Sequence, residues 1–105
     1  MVKKKIRNTL KKFKRLLESD GLSVDKLLLY GSYARGTARK DSDIDVCVIS
    51  KSFGKNRLNE KFYLLHKAPK IDPRIEPVAF STKDYRQNFV SPLLHQIRNE
   101  GIEIK

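Results

Sequence analysis

The chain has 105 residues, enough for one domain with a modest core, and 39% of them are hydrophobic, which favours a globular protein over a disordered one. Lysine and arginine number 23 against 12 aspartates and glutamates, so the net charge is +11 and an anionic partner is expected. The single cysteine, Cys47, excludes a disulfide framework and a cysteine-based zinc site, and no apolar run is long enough to span a membrane. We therefore expect one cytoplasmic domain over residues 1–105.

The first half of the chain predicts a basic helix followed by two buried strands. Residues 26–30 form a short apolar run that ends at Gly31-Ser32, and a short helix is expected over 33–35. Residues 44–49 predict a strand that is covered on both faces. The helix is expected over residues 2–19, where apolar side chains recur every three or four positions: Val2, Ile6, Leu10, Phe13 and Leu17. Its other faces carry lysine and arginine, which either are solvated or contact nucleic acid.

The second half of the chain alternates in the same way. A polar loop over 51–55 leads to a helix over 57–67, which carries on one side Leu58, Phe62 and Leu65. A proline-bounded connection precedes a strand over 74–80, and Pro77 within that strand predicts a sheet edge or a bulge. Ser91-Pro92 begins a helix that ends at Gly101, and a short strand is expected over 102–104. Strands that alternate with helices predict an α/β domain.

Two aspartates stand at the start of the second strand, Asp43 and Asp45. Because side chains alternate between the faces of a strand, both carboxylates are expected to point the same way, with Ile44 on the opposite face. Two negative charges so close repel each other unless a cation lies between them. Carboxylate oxygens suit Mg²⁺ or Mn²⁺, and Mg²⁺ usually completes its coordination with water and a substrate phosphate. The pair therefore predicts a metal site beside a phosphate.

The turn at Gly31-Ser32 is the candidate phosphate site. Glycine lets the backbone approach a phosphate, the amides of a helix start favour an anion, and the Ser32 hydroxyl adds a donor. If the two strands are neighbours, phosphate and metal lie side by side. Arg35 either contacts the phosphate or pairs with a local carboxylate, and Tyr33 either packs or stacks on a base.

The segment GSYARGTARKDSDID resembles the signature of the DNA polymerase β-like nucleotidyltransferase superfamily, in which Gly-Ser precedes Asp-x-Asp. Here ten residues separate Ser32 from Asp43. The brevity of the chain, the segment RIEPVAF and the ending SPLLHQIRNEGIEI are similar to the minimal nucleotidyltransferases (the MNT group), so the resemblance covers most of the chain. It implies a nucleotidyltransferase fold like the polymerase β palm, with a small mixed β-sheet flanked by helices.

The resemblance also implies a mechanism. A nucleoside triphosphate, ATP in the first instance, binds with two Mg²⁺ ions, and a nucleoside monophosphate moves to a hydroxyl acceptor. The site residues that it implies are Asp43 and Asp45 for the metals and Gly31, Ser32 and Arg35 for the nucleotide. Such sites use a third carboxylate from a neighbouring strand. Glu76, fixed on the strand over 74–80, is preferred over Asp72 as this catalytic and metal-binding group.

The MNT group is often encoded beside a small all-helical HEPN protein, with which it forms toxin–antitoxin pairs. The resemblance therefore implies an antitoxin that moves AMP onto a hydroxyl of a HEPN partner, such as a tyrosine. The chain is too short to hold its own acceptor-binding domain, so a partner or a homo-oligomer is expected to complete the site. Three alternatives stay open: RNA as the acceptor, which the basic helix favours, a small-molecule acceptor, and a non-catalytic antitoxin that acts by occlusion.

Overall fold

The computed structural model describes residues 2–87 and 91–105. Its helices are α1 (Lys4–Ser19), α2 (Ser32–Arg35), α3 (Arg57–Lys67), α4 (Thr82–Arg86) and α5 (Pro92–Glu100), with a 3-10 turn at Ala68–Lys70. Its strands are β1 (Lys26–Tyr30), β2 (Ile44–Ser50), β3 (Ile75–Ser81) and β4 (Ile102–Glu103). The strands form one mixed sheet in the order β3-β2-β1-β4. Within the described ranges, no helix is both long and apolar enough to cross a membrane.

Helix α1 packs along one face of this sheet, as its apolar stripe predicts. The core on this side joins that stripe to β-strand side chains that include Leu29, Val46 and Val48. Four α1 side chains are buried here, Ile6, Leu10, Phe13 and Leu17, whereas Val2 lies before the helix and is partly buried. The helix ends at Asp20-Gly21, where Gly21 takes a positive φ of 92°.

Truncation of Phe13 tests how far α1 supports the fold. Because Phe13 is fully buried between α1 and the sheet, we expect Phe13→Ala to lower the free energy of unfolding by about 3–5 kcal/mol. Urea denaturation monitored by circular dichroism measures the change. The exposed neighbour Lys12 is the control, since Lys12→Ala should shift stability by no more than about 0.5 kcal/mol. If Phe13→Ala changed the free energy of unfolding as little as Lys12→Ala, the packing of α1 on the sheet would be contradicted.

Both faces of β2 are covered, which confirms the expectation from its apolar sequence. Val46 and Val48 face α1, while Cys47 and Ile49 belong to a second buried cluster that includes Ile97 of α5. β2 runs antiparallel to β1 and parallel to β3. The side chains of β2 therefore alternate between two covered faces, as the sequence predicts.

Strand β3 lies at an edge of the sheet, as Pro77 predicts. Pro77 is aligned with Val46 of β2, and the register between the two strands continues on either side of it without a bulge. Proline has no amide hydrogen to donate, so an edge is where it interrupts the fewest sheet hydrogen bonds.

The inward side of α3 differs from the prediction. Leu58 and Phe62 are 61% and 57% exposed, and the buried side chain of this helix is Leu64. The helix instead buries Leu64, which packs in the core together with Ala68 of the 3-10 turn. At the surface of the helix, the Tyr63 hydroxyl donates a hydrogen bond of 2.8 Å to Asp20, and Lys67 Nζ forms an ion pair with Asp20 at 3.1 Å.

Candidate active site

One row of side chains crosses the sheet at the ends of three strands. Asp45 of β2 is aligned with Tyr30 of β1 on one side and with Glu76 of β3 on the other. Asp43, two residues before Asp45, is exposed where the chain enters β2, while Asp45 itself is half-buried. The same face continues inward to buried Cys47. The carboxylates thus stand where an apolar core meets water.

The structure separates the two candidates for a third carboxylate. Glu76 is exposed and lies directly beside Asp45 in the parallel register. Asp72 is held instead by Arg74: its Oδ1 accepts from the Arg74 amide at 2.8 Å, and its Oδ2 accepts from Nη2 at 2.8 Å. Hydrogen bonding by Arg74 lowers the pKa of Asp72, which fixes its charge in that pair. The preference for Glu76 rests on this difference.

Negative charge accumulates around Asp45. Burial raises the pKa of its carboxyl group, and the charges of Asp43 and Glu76 raise it further, while Arg35 acts in the opposite sense. In the described part of the chain, neither Asp43, Asp45 nor Glu76 forms a salt bridge. A cation bound between these groups would relieve their mutual repulsion.

The oxygen donors at this site are of the kind that binds Mg²⁺ or Mn²⁺ together with water and substrate, and not of the kind that encloses a metal ion with protein groups alone. Among residues 2–87 and 91–105, no three His, Cys, Asp or Glu side chains are gathered closely enough to enclose an ion. Mg²⁺ is characteristically held by one or two carboxylates together with water and substrate phosphates. Exposed Asp43 and half-buried Asp45, with exposed Glu76 beside Asp45, offer oxygen donors of that kind without enclosing an ion.

The glycine turn packs directly against the carboxylates. Gly31 has a positive φ of 79° and is the N-terminal cap of α2. A Cβ atom at this position would collide with Oδ2 of Asp45, so a larger residue would be excluded both by the backbone angle and by the carboxylate. The structure therefore brings the predicted phosphate turn and the predicted metal pair into contact.

The amide of Gly31 already has an acceptor within the chain. It donates a hydrogen bond of 2.5 Å to Oε2 of Glu100, the last residue of α5. The same oxygen lies 3.0 Å from Nη1 of Arg35, so in this structure Arg35 pairs with a carboxylate. The amides of Ala34 and Arg35 donate to the Gly31 carbonyl at 3.0 Å, so the donors that this turn offers a phosphate are the Ser32 hydroxyl and the amides of Ser32 and Tyr33.

Glu100 was not a candidate from the sequence. Burial raises its pKa, but hydrogen bonds from the Gly31 amide, Gln96 and Arg35 together with the charge of Arg35 outweigh that effect, so the net shift is downward. Knowledge of the strand pairing would have identified it, because β4 follows α5 immediately and pairs with β1. That pairing returns the end of α5 to the end of β1.

Comparison with known proteins agrees with this geometry. The model of the family described as "Nucleotidyltransferase domain" matches residues 6–100. A protein of Methanocaldococcus jannaschii, whose name proposes a protein adenylyltransferase, is 30% identical over 99 residues, which cover 90% of this chain and 67% of that protein. A second protein of the same organism, with the same proposed activity in its name, is 27% identical over 83 residues, or 77% of this chain and 79% of that protein.

Solved structures show the same fold. A toxin–antitoxin crystal structure with AMP-PNP is similar with a TM-score of 0.65 and 25% identity, covering 94% of this chain and 72% of the other. A nucleotidyltransferase structure from Sulfolobus solfataricus gives a TM-score of 0.67 at 15% identity, over 94% of this chain and 78% of the other, which supports the fold alone. The chain belongs to the nucleotidyltransferase domain family and is a nucleotidyltransferase.

Proposed function

We propose that the protein transfers AMP from ATP, with Mg²⁺, to a hydroxyl group of a partner protein. The observation that supports this most is the alignment of Asp45 with Glu76, with Asp43 alongside and the Gly31-Ser32 turn in contact with Asp45. Carboxylates beside a phosphate turn are the arrangement that phosphoryl-group chemistry requires. The names of the relatives favour a protein acceptor and an adenylyl group.

Each group in the site has a distinct part in this proposal. Asp43 and Asp45 would hold Mg²⁺, with Glu76 as the third carboxylate. The Ser32 hydroxyl and the amides of Ser32 and Tyr33 donate to the β- and γ-phosphates, and Arg35 offsets their charge. The acceptor oxygen forms a bond to the α-phosphorus as its proton passes to solvent water, the bond from the α-phosphorus to the α,β-bridging oxygen breaks, and pyrophosphate leaves. Bound Mg²⁺ would favour the deprotonated acceptor and stabilise the charge on the leaving group.

The acceptor that we propose is a hydroxyl, such as a tyrosine, on a small helical HEPN toxin, whose modification would neutralise it. The support is that similar structures are toxin–antitoxin complexes, one with AMP-PNP and another described as a mutant of MntA-HpeT. This second structure is 25% identical with a TM-score of 0.62, over 90% of this chain and 70% of the other. The carboxylates lie at the ends of the strands, where Asp43 and Glu76 are exposed, so an acceptor carried by another protein can reach them.

A label-transfer assay tests the proposal. Purified protein, Mg²⁺ and ATP labelled at the α-phosphorus are incubated with a lysate of the host, beside an Asp43→Ala/Asp45→Ala double variant. We expect label on one protein band, absent with the variant, and mass spectrometry of that band identifies the acceptor. Label on RNA or on a small molecule would identify that molecule as the acceptor in place of a protein. No transfer with any of the four nucleotides would favour an antitoxin that acts by occlusion.

A separate prediction concerns Glu100, which holds Arg35 and the Gly31 turn. Glu100→Gln keeps an acceptor for the Gly31 amide but removes the charge that orients Arg35. We expect the KM for the nucleotide to rise about tenfold, equivalent to about 1.4 kcal/mol, with kcat changed by less than about threefold. Steady-state kinetics with varied ATP measures both quantities.

The control for this variant is Glu103→Gln, the same change on a residue that pairs with Lys26 instead. It should leave the nucleotide KM unchanged. If Glu100→Gln lowered the KM, Glu100 would be a competitor of the phosphates at the Gly31 amide rather than a positioning residue.

A further inference from the structure

A groove of about 330 Å³ lies between the beginning of α1 and the loop that follows α2. Tyr33, Ile6 and Ala38 form its apolar part. Its polar part consists of five basic side chains, Lys3, Lys5, Arg39, Lys40 and Arg74. Among the residues that the structure describes, no carboxylate lines this groove. The groove is therefore strongly positive, in contrast to the acidic row at Asp43 and Asp45.

Most of this charge is not neutralised within the chain. Arg74 pairs with Asp72 at 2.8 Å. For residues 2–87 and 91–105, the structure shows no salt bridge to Lys3, Lys5, Arg39 or Lys40, all of which are exposed. Cations gathered in one groove repel one another, and a bound polyanion would relieve that repulsion.

The positive charge continues along α1 as a line. Successive basic residues occur at spacings of three or four, which places them on one side of the helix: Lys4, Arg7, Lys11 and Lys14. At a rise of 1.5 Å per residue, this row is about 15 Å long. A row of regularly spaced cations suits an anion with repeated charges better than a single phosphate group.

The aromatic residue of the groove, Tyr33, lines its wall and is partly buried against the hydrophobic core. The Tyr33 hydroxyl accepts a hydrogen bond from Nη1 of Arg74 at 3.1 Å and donates one to the Arg39 carbonyl at 3.3 Å. The ring also borders an adjoining cavity of about 80 Å³ beside Gly36. Cations for phosphates together with an aromatic side chain in the wall of the groove are features of single-stranded nucleic-acid sites.

We propose that this groove and the basic row of α1 bind single-stranded RNA. The surface extends beyond the nucleotide site, and its use does not depend on the transfer reaction. It lies next to the catalytic edge along the chain, because the Arg74 carbonyl accepts a hydrogen bond of 2.7 Å from the amide of Ile44, the residue after Asp43.

Fluorescence anisotropy of a labelled 15-nucleotide RNA, measured in EDTA and without nucleotide triphosphate, tests the proposal. If the protein neutralises four phosphates, affinity should fall about 50-fold between 50 and 200 mM salt. The variant Lys3→Glu/Lys5→Glu/Arg39→Glu should bind roughly 10- to 100-fold more weakly at low salt, with a shallower salt dependence. Tyr33→Leu should weaken binding about tenfold.

The matched control is Lys51→Glu/Lys55→Glu/Lys83→Glu, which changes the net charge by the same amount at exposed residues outside the groove. It should retain affinity within about threefold, and circular dichroism verifies that each variant is folded. Equal weakening by both triple variants would show that net charge alone attracts RNA and would overturn the proposal. If polyglutamate displaced the labelled RNA as effectively as unlabelled RNA does, the proposal would also be overturned, because the groove would then bind an acidic protein surface equally well.

Discussion

Asp45→Asn is expected to abolish nucleotidyl transfer while leaving the fold at least as stable as that of the wild type. The loss of activity follows from the position of Asp45, which lies between Asp43 and Glu76 and against the Gly31 turn. An amide cannot replace the negative oxygen that we propose as the metal ligand, and charge stabilisation of several kcal/mol corresponds to a rate loss of about 10³-fold or more.

The expected effect on stability has the opposite sign. In the folded protein the pKa of Asp45 is raised, first by burial and then by the neighbouring carboxylates. The folded state therefore binds this proton more tightly than the unfolded state, and ionisation costs stability as pH rises from the unfolded pKa through the folded pKa. Asp45→Asn removes that cost, so its melting temperature should equal or exceed that of the wild type at pH 7. The difference should vanish in acid below both pKa values.

Two measurements on the same preparation test this pair of effects: initial rates of transfer and melting temperatures at pH 7 without metal. Asp41→Asn is the matched control, since Asp41 is an exposed aspartate of the same loop that lies outside the row. It should keep activity within about threefold. An Asp45→Asn protein that retained a tenth of the activity, or that was unfolded at pH 7, would contradict the assignment.

Glu76→Gln is expected to have the second large effect: kcat should fall roughly 10²- to 10³-fold while the fold is unchanged. Glu76 is exposed beside Asp45 and has no salt bridge in the described part of the chain, so its removal should cost little stability. The carboxylate is proposed to complete the metal site, and an amide lacks its charge.

Asp72→Asn separates this account from its alternative. Asp72 is engaged by Arg74, so the substitution should lower the free energy of unfolding by about 1–2 kcal/mol and leave kcat within about threefold. Because Arg74 lowers the pKa of Asp72, the stabilisation is present above the unfolded pKa and is lost as pH falls through the folded pKa. Kinetics and urea denaturation of both variants provide the comparison. The reverse pattern, with kcat lost at Asp72 and kept at Glu76, would move the third carboxylate to Asp72.

Much of the site was predictable because it depends on local geometry. Alternation along β2 predicts the face on which Asp45 lies, Asp43 stands just before that strand, and the spacing from Gly31-Ser32 brings the turn to the neighbouring strand. Pro77 indicates an edge because proline lacks an amide hydrogen. These features need only the pleat of a strand and the chemistry of one residue.

The features that the sequence did not predict depend on distant contacts. Glu100 reaches Gly31 only because β4 pairs with β1, and nothing in the residues around Glu100 shows that pairing. The outward position of Leu58 and Phe62 follows from the packing of α3 on the core through Leu64, whose core partners lie far from it along the chain. Periodicity identifies a helix, but the tertiary partners decide which side of it is buried.

The most direct test of the central claim follows two labels in the same reaction. ATP carrying label at either the α- or the γ-phosphorus is incubated with the wild-type protein and its acceptor fraction, with Mg²⁺ or with EDTA. The account predicts that the α-label becomes attached to the acceptor, that the γ-label leaves in pyrophosphate, and that EDTA stops both. Attachment of the γ-label, or transfer that persists in EDTA, would contradict metal-dependent nucleotidyl transfer at Asp43 and Asp45.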